Sequence, residues 1–230
     1  MFHIPYRFIG LGLLISLLSG TVGAHGVAES DAIFLEQSQG SQVVPFLYLG
    51  AKHMVTGYDH LLFLLGVIFF LYRLRDVGIY VTLFAVGHSI TLLAGVLSGW
   101  HINPFLIDTI IGFSIVYKAL DNLGAFERWL GFSPDNRKAV FLFGLCHGLG
   151  LATKLQDFTL SADGLVTNII AFNVGVEVGQ LMALWLMLIL ITLWRKSRTF
   201  DSSAFAANVL LMGLGFVLMG YQSMGLWLSL

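Results

Sequence analysis

The stretch His53-Met-Val-Thr-Gly-Tyr-Asp59-His60 leads directly into Leu-Leu-Phe-Leu-Leu-Gly-Val-Ile-Phe-Phe-Leu, an apolar run that ends at Leu71. Two histidines and an aspartate therefore belong to a segment that is apolar enough to cross a bilayer. Ionisable side chains are costly inside a membrane and usually serve a function there. The stretch thus indicates a membrane span that carries a functional site.

The composition of the whole chain is that of a helical membrane protein. Of its 230 residues, 57% are hydrophobic and 11% are charged, whereas roughly 25% are charged in soluble domains. The net charge of −1 gives no indication of nucleic-acid binding. Cys146 is the only cysteine, which excludes an internal disulfide and a site built from several thiolates. We predict an all-α, polytopic membrane helical bundle.

Two segments precede the predicted bundle. Residues 1–24 combine a basic start, an apolar run and the small-residue sequence Val22-Gly23-Ala24, so we predict a cleavable signal peptide. Residues 25–42 are polar and predict an exported segment. Cleavage would make His25 the new N-terminus, where an amine beside an imidazole can chelate a metal. The transmembrane domain then covers residues 43–230.

Six membrane spans are predicted from runs of about 20 apolar residues and the breaks between them. They cover residues 46–72, 77–98, 104–122, 138–154, 166–194 and 205–229. With a cleaved signal peptide, the loops after spans one, three and five are cytoplasmic. Those loops and their edges hold Arg73, Arg75, Lys118, Arg128, Arg137, Lys138, Arg195, Lys196 and Arg198. The opposite side holds Lys52 and Lys154, so the positive-inside rule predicts that both mature termini lie outside the cytoplasm.

Several ionisable groups are predicted to lie at a similar depth, counting about 1.5 Å per residue from the span ends. Asp59 and His60 fall near the middle of span one, His88 near the middle of span two and His147 near the middle of span four. Glu177 falls in the outer to middle part of span five. Scattered structural histidines have no reason to share one level, so the agreement predicts a single site.

The sequence allows two placements of His53 relative to His60. In a continuous helix His53 and His60 share a face but lie about 10 Å apart along the axis, too far for one ion with bonds of about 2.0–2.1 Å. His53 is then an outer capture site, and Asp59 and His60 are the midplane ligands. If Gly57 breaks the helix, the two histidines fold together instead. The sequence does not choose between these arrangements.

Small and polar residues accompany two of the candidate ligands. Pairs of glycines four residues apart flank His147 and Glu177, which lets helix backbones pack closely there. Asn173 and Gln180 share a helix face with Glu177 and are predicted to support the site by orienting the carboxylate or its partners. The glycine-rich sixth span is predicted to pack against other helices or to dimerise, so a homo-oligomer is possible.

The predicted metal ligands are His53, Asp59, His60, His88, His147 and Glu177. Neutral imidazole with carboxylate suits a divalent transition metal such as nickel, cobalt or zinc. Copper(I) normally takes more sulfur, and magnesium or calcium takes more oxygen. The sequence shows no nucleotide-binding loop, which favours a permease over a pump.

Several motifs, in this order along the chain, resemble the HupE/UreJ family of small bacterial membrane proteins, particularly its second branch. The motifs are His53-x5-Asp59-His60, His88-Ser-Ile-Thr, Cys-His147-Gly-Leu-Gly and Phe-Asn173-Val-Gly-Val-Glu177-Val-Gly-Gln180, within residues 43–195. The resemblance implies a secondary permease of the bacterial inner membrane that supplies nickel or cobalt for hydrogenase and urease. It further implies that His53, Asp59, His60 and His147 handle the metal.

The leading hypothesis is therefore a transition-metal permease in a lipid bilayer. In this mechanism His53 and the exported segment collect the ion, the midplane ligands hold it, and helix rocking releases it inward. An intramembrane zinc-dependent hydrolase is the alternative, because three histidines and a carboxylate can hold zinc with an open water position. A third hypothesis is a haem-binding electron carrier with His60, His88 or His147 as an axial ligand.

Overall fold

The structure is a computed structural model that describes residues 38–156 and 161–230. Within this part the chain forms eight helices and no strand. They are α1 Val43–Thr56, α2 Tyr58–Ile68, α3 Leu74–Ser98, α4 Pro104–Asn122, α5 Ala125–Leu130, α6 Asn136–Gln156, α7 Leu165–Arg195 and α8 Phe200–Leu228. The predicted all-α fold is confirmed. The predicted signal peptide and residues 25–37 of the predicted exported segment lie outside the described residues.

Helix length and composition separate the predicted spans into three groups. The helices α3, α6, α7 and α8 are long and apolar enough to cross a membrane. The third predicted span is α4, with 19 residues. The first predicted span comprises the two shorter helices α1 and α2, with 14 and 11 residues. The chain is a multi-pass helical membrane protein, and the total of six spans stays a prediction.

Gly57 separates α1 from α2, so the first predicted span is a broken helix and not a continuous one. Its backbone is extended, with φ −72° and ψ 91°. A Cβ atom at Gly57 would lie 3.0 Å from the carbonyl oxygen of His53 and 3.2 Å from Nδ1 of His60. These distances are shorter than ordinary contacts of a Cβ, so the absence of a side chain lets the two helices approach at this point.

Three pairs of helices pack backbone against backbone at glycines. The contacts are Gly87, Gly144 and Gly148 between α3 and α6, Gly50, Gly175 and Gly179 between α1 and α7, and Gly112 and Gly215 between α4 and α8. A Cβ at Gly148 would lie 2.0 Å from the carbonyl oxygen of His88, and one at Gly175 would lie 2.0 Å from that of Leu47. The close packing predicted around His147 and Glu177 is confirmed, and the partners are α3 and α1.

The order of these contacts gives the helix directions. Along α3 and α6, Phe84 meets Gly144 and His88 meets Gly148, so these helices run parallel. Leu47 meets Gly175 and Ala51 meets Gly179, so α1 and α7 also run parallel. Gly112 meets Met219 whereas Gly215 meets Val116, so α4 and α8 run antiparallel. All three directions are those expected from six spans that alternate across a membrane.

The short helix α2 occupies the centre of the bundle and contacts members of all three pairs. Its buried residues are Asp59, His60, Phe63, Leu64, Gly66, Val67 and Ile68. Nδ2 of Asn122 in α4 donates hydrogen bonds to the Gly66 carbonyl and to Oδ1 of Asn208 in α8, each at 2.9 Å. These bonds fix the last turn of α2 against the α4–α8 pair.

Arg195, the last residue of α7, caps the C-terminal end of α2. Its guanidinium donates to the carbonyl oxygens of Ile68 at 2.7 Å, Phe69 at 2.6 Å and Leu71 at 2.9 Å. The last carbonyls of a helix lack partners within the helix and favour a positive charge. Because α7 also packs tightly against α1, one long helix holds both halves of the broken segment in register.

We expect Gly175→Ala to destabilise the bundle, because the added methyl group meets backbone atoms of Leu47 that no rotamer change can move. Overpacking of this kind costs about 1–3 kcal/mol. Gly220→Ala is the matched control, since no atom of the described residues lies within 4 Å of a Cβ there. The temperature at which the detergent-purified protein loses monodispersity should fall for Gly175→Ala alone. Equal temperatures for the two variants would contradict the tight α1–α7 contact.

Candidate metal centre

Four histidine rings meet around the start of α2, with His60 at the centre. The ring centroid of His60 lies 4.7 Å from that of His147, 5.4 Å from that of His53 and 5.7 Å from that of His88. His60, His88 and His147 are each 1% exposed, and His53 is partly exposed. The helices α1, α2, α3 and α6 thus each contribute one imidazole to a shared cluster.

Asp59 adds a carboxylate to this cluster. Ligand atoms of Asp59, His60 and His147 all lie within 4.8 Å of one another. Ligands of one ion with bonds of about 2.0–2.1 Å are at most about 4 Å apart, so a movement of about 1 Å suffices to bring the three onto one ion. These residues form the core of a candidate metal centre.

Hydrogen bonds orient two of the rings. Nδ1 of His60 lies 3.1 Å from Oδ1 of Asp59, so these two atoms either share a proton or face the same ion. The hydroxyl of Ser114 donates to the Ile111 carbonyl at 2.6 Å and therefore accepts from Nε2 of His147 at 3.2 Å. Nδ1 of His147 then carries the lone pair. Such second partners select the tautomer that can bind a metal.

His88 has a different environment. Within residues 38–156 and 161–230, neither of its ring nitrogens has a hydrogen-bond partner. A buried polar atom without a partner costs free energy, and a metal ion bound to either nitrogen would remove part of that cost. The geometry therefore makes His88 a fourth candidate ligand beside the core of Asp59, His60 and His147.

His53 lies at the edge of the cluster. The break at Gly57 brings its ring within 5.4 Å of the His60 ring, rather than the axial separation of about 10 Å expected of a continuous helix. Its ring also lies 6.2 Å from Phe172 in α7. Of the two arrangements open to the sequence, the structure has the one in which the histidines fold together.

Glu177 lies outside this group of ligand atoms. Its carboxylate accepts a hydrogen bond from Ser89 at 3.2 Å, and Nδ2 of Asn173 donates to the Ser89 hydroxyl at 2.9 Å. Gln180 donates to the Val81 carbonyl at 3.3 Å. Ser89, Glu177 and Gln180 border a cavity of about 380 Å³ between α3 and α7. The structure gives Glu177 polar partners of its own, and its binding to the same ion stays a prediction.

Sequence reasoning missed Ser114. A serine in an apolar span is common, and interhelical hydrogen bonding is its ordinary role. In the structure Ser114 is fully buried at 0% exposed. Its burial depends on α4 facing α6, so the sequence alone provided no signal for it.

Comparison with known proteins identifies one family. The family model described as HupE / UreJ protein matches residues 29–229 of the chain. No curated protein and no solved structure shows a significant match. The matched range includes every residue of the histidine cluster.

We expect His147→Ala to weaken the binding of cobalt(II) to the detergent-purified protein by about tenfold or more, because it removes a core ligand. The affinity can be measured by titration of the visible absorption of bound cobalt. His101→Ala is the control, since His101 is exposed in the segment between α3 and α4. An unchanged affinity in His147→Ala would contradict this ligand assignment.

Proposed function

Since the chain belongs to the HupE/UreJ family, we propose that it is a secondary permease for a divalent transition metal. The family is associated with nickel and cobalt transport. The observation that carries the proposal is the convergence of His60, His147 and Asp59 on one buried group within a bundle of membrane-length helices. Ligands held by separate helices can bind an ion in one arrangement of the bundle and release it in another.

The ligand chemistry supports nickel, cobalt or zinc as the cargo. The imidazole nitrogens of His60 and His147 are borderline donors that suit these ions. The single carboxylate of Asp59 offsets part of the positive charge in a site that water does not reach. His88 can complete the coordination, and His53 at the edge can receive the ion first.

The proposed orientation of the protein in the membrane rests on the basic residues. Arg73 and Arg75 lie at the start of α3, and Lys196 and Arg198 follow the end of α7. Arg195 bonds to Leu71, so these two helix ends meet at the same end of the bundle. The positive-inside rule makes that end cytoplasmic. We therefore place the protein in the bacterial inner membrane, with a cleaved signal peptide and both mature termini in the periplasm.

An intramembrane zinc hydrolase would use the same cluster and differs in how it holds the metal. An enzyme retains its zinc through many turnovers, whereas a permease must release its cargo on each cycle. Metal analysis after dialysis of the purified protein separates the two. Zinc that stays bound in stoichiometric amount favours the hydrolase, and exchangeable nickel or cobalt favours the permease.

We expect proteoliposomes that contain the protein to take up at least one of nickel, cobalt, zinc and copper faster than protein-free liposomes. His60→Ala should reduce this uptake to the protein-free rate, because His60 is the ring that contacts the other three histidines. His101→Ala should leave the rate unchanged. Uptake by His60→Ala at the wild-type rate would show that the cluster is not the transport site.

Uptake should also depend on pH, because protons compete with the metal for imidazole nitrogens. The initial rate should fall several-fold from about pH 7.5 to about pH 5.5 when both sides of the membrane have the same pH. Matching the pH inside and outside removes any contribution from a proton gradient. A rate that stays flat over this range would count against imidazole ligation.

A further inference from the structure

An aromatic residue lies one helical turn from each buried histidine of the cluster. The pairs are His60 and Phe63 in α2, His88 and Phe84 in α3, and His147 and Phe143 in α6. In α2 the aromatic residue follows the histidine, whereas in α3 and α6 it precedes the histidine. The C-terminal end of α2 is joined to the start of α3, and α3 and α6 run parallel. All three aromatic residues are therefore displaced from the cluster towards the same end of the bundle.

The rings form a continuous layer. The centroid of Phe63 lies 5.3 Å from that of Phe84 and 5.7 Å from that of Phe143. Phe143 in turn lies 5.2 Å from Tyr117 of α4. Phe63 is 0% and Phe84 1% exposed. We call these four rings, from four different helices, the aromatic layer.

The aromatic layer borders the metal cluster directly. The ring of Phe84 lies 5.1 Å from that of His147 and 6.2 Å from those of His60 and His88. The ring of Phe63 lies 5.4 Å from that of His147. A metal ion that leaves its ligands on this side meets apolar rings rather than water. Apolar constrictions of this kind stop hydrated ions because water does not fill them.

Polar groups occur again beyond the layer. One turn past Phe63 along α2, the Gly66 carbonyl accepts a hydrogen bond from Asn122, which also bonds to Asn208. The basic residues Arg73 and Arg195 lie still further along, at the end of the bundle that the positive-inside rule makes cytoplasmic. The aromatic layer thus separates the histidine cluster from the polar groups on the cytoplasmic side.

We propose that the aromatic layer is the inner gate of the transport path, with Phe63 and Phe84 as the residues that close it. The proposal rests on the permease function, because a gate is needed only if an ion passes. The described conformation is closed to the cytoplasm, and release requires the rings of Phe63 and Phe84 to separate. While closed, the layer keeps protons and hydrated ions from leaking past the metal site.

A thiol placed beside the cluster can report on this gate without any metal transport. Ser114→Cys in a Cys146→Ser background gives a single thiol, because Cys146 is the only natural cysteine. The hydroxyl it replaces lies 3.2 Å from Nε2 of His147. In inside-out membrane vesicles, the proposed gate requires a charged methanethiosulfonate reagent to cross the aromatic layer in order to reach this thiol from the cytoplasmic face.

We expect slow modification of this thiol, and a rate about tenfold higher when Phe63→Ala opens the constriction. Phe63→Leu should give an intermediate rate, because it keeps most of the apolar volume and is the safer variant for folding. Phe216→Ala is the matched control, since Phe216 is 49% exposed on α8. Its rate should equal that of the parent.

Equal rates in the parent, Phe63→Ala and Phe63→Leu would overturn the gate, as would fast modification of the parent. Phe84→Leu in the same background provides a second test and should accelerate modification in the same way. These rates do not require metal to move. A negative result in this test would not change the interpretation of the metal uptake assay. A negative uptake result would likewise not change the interpretation of these modification rates.

Discussion

The arrangement of the site depends on the contact between Gly148 of α6 and the His88 carbonyl of α3. A Cβ atom at Gly148 would lie 2.0 Å from that oxygen, so only glycine allows the two backbones to come this close. The contact sets His88 beside His147, and both rings then lie within 5.7 Å of His60. A wider spacing of α3 and α6 would move His88 away from His147 and break up the cluster.

The second requirement is a helix that breaks inside the bundle. Gly57 ends α1 and lets α2 begin with Asp59 in its first turn, where the helix dipole favours a negative charge. Irregular backbone within a membrane occurs where protein or a cavity surrounds it rather than lipid, and the central position of α2 meets this condition. The Gly57 break, the Arg195 cap and the glycine contacts of α7 together hold His53, Asp59 and His60 in one place.

The sequence predicted the helical membrane fold and the depth of the histidines in the membrane, but it did not predict the rotation of each helix about its own axis. The apolar runs predicted a helical membrane protein, and the depth count placed His60, His88 and His147 at one level, where the structure brings them together. Whether the Glu177 face of α7 points towards the histidine cluster depends on how α7 packs against α1. The residue pattern of a single helix does not contain that information. The same applies to the aromatic layer, because the sequence has 19 phenylalanines and their spacing from histidines gains meaning only when the helix directions are known.

We expect imidazoles from different helices to bind the same ion. X-ray absorption spectroscopy at the cobalt edge, on purified protein loaded with one equivalent of cobalt(II), measures this directly. The structure predicts a first shell of nitrogen and oxygen at about 2.0–2.1 Å with outer-shell scattering from at least two imidazole rings. A shell of oxygen atoms alone, without imidazole scattering, would show that the ion does not bind at the histidine cluster.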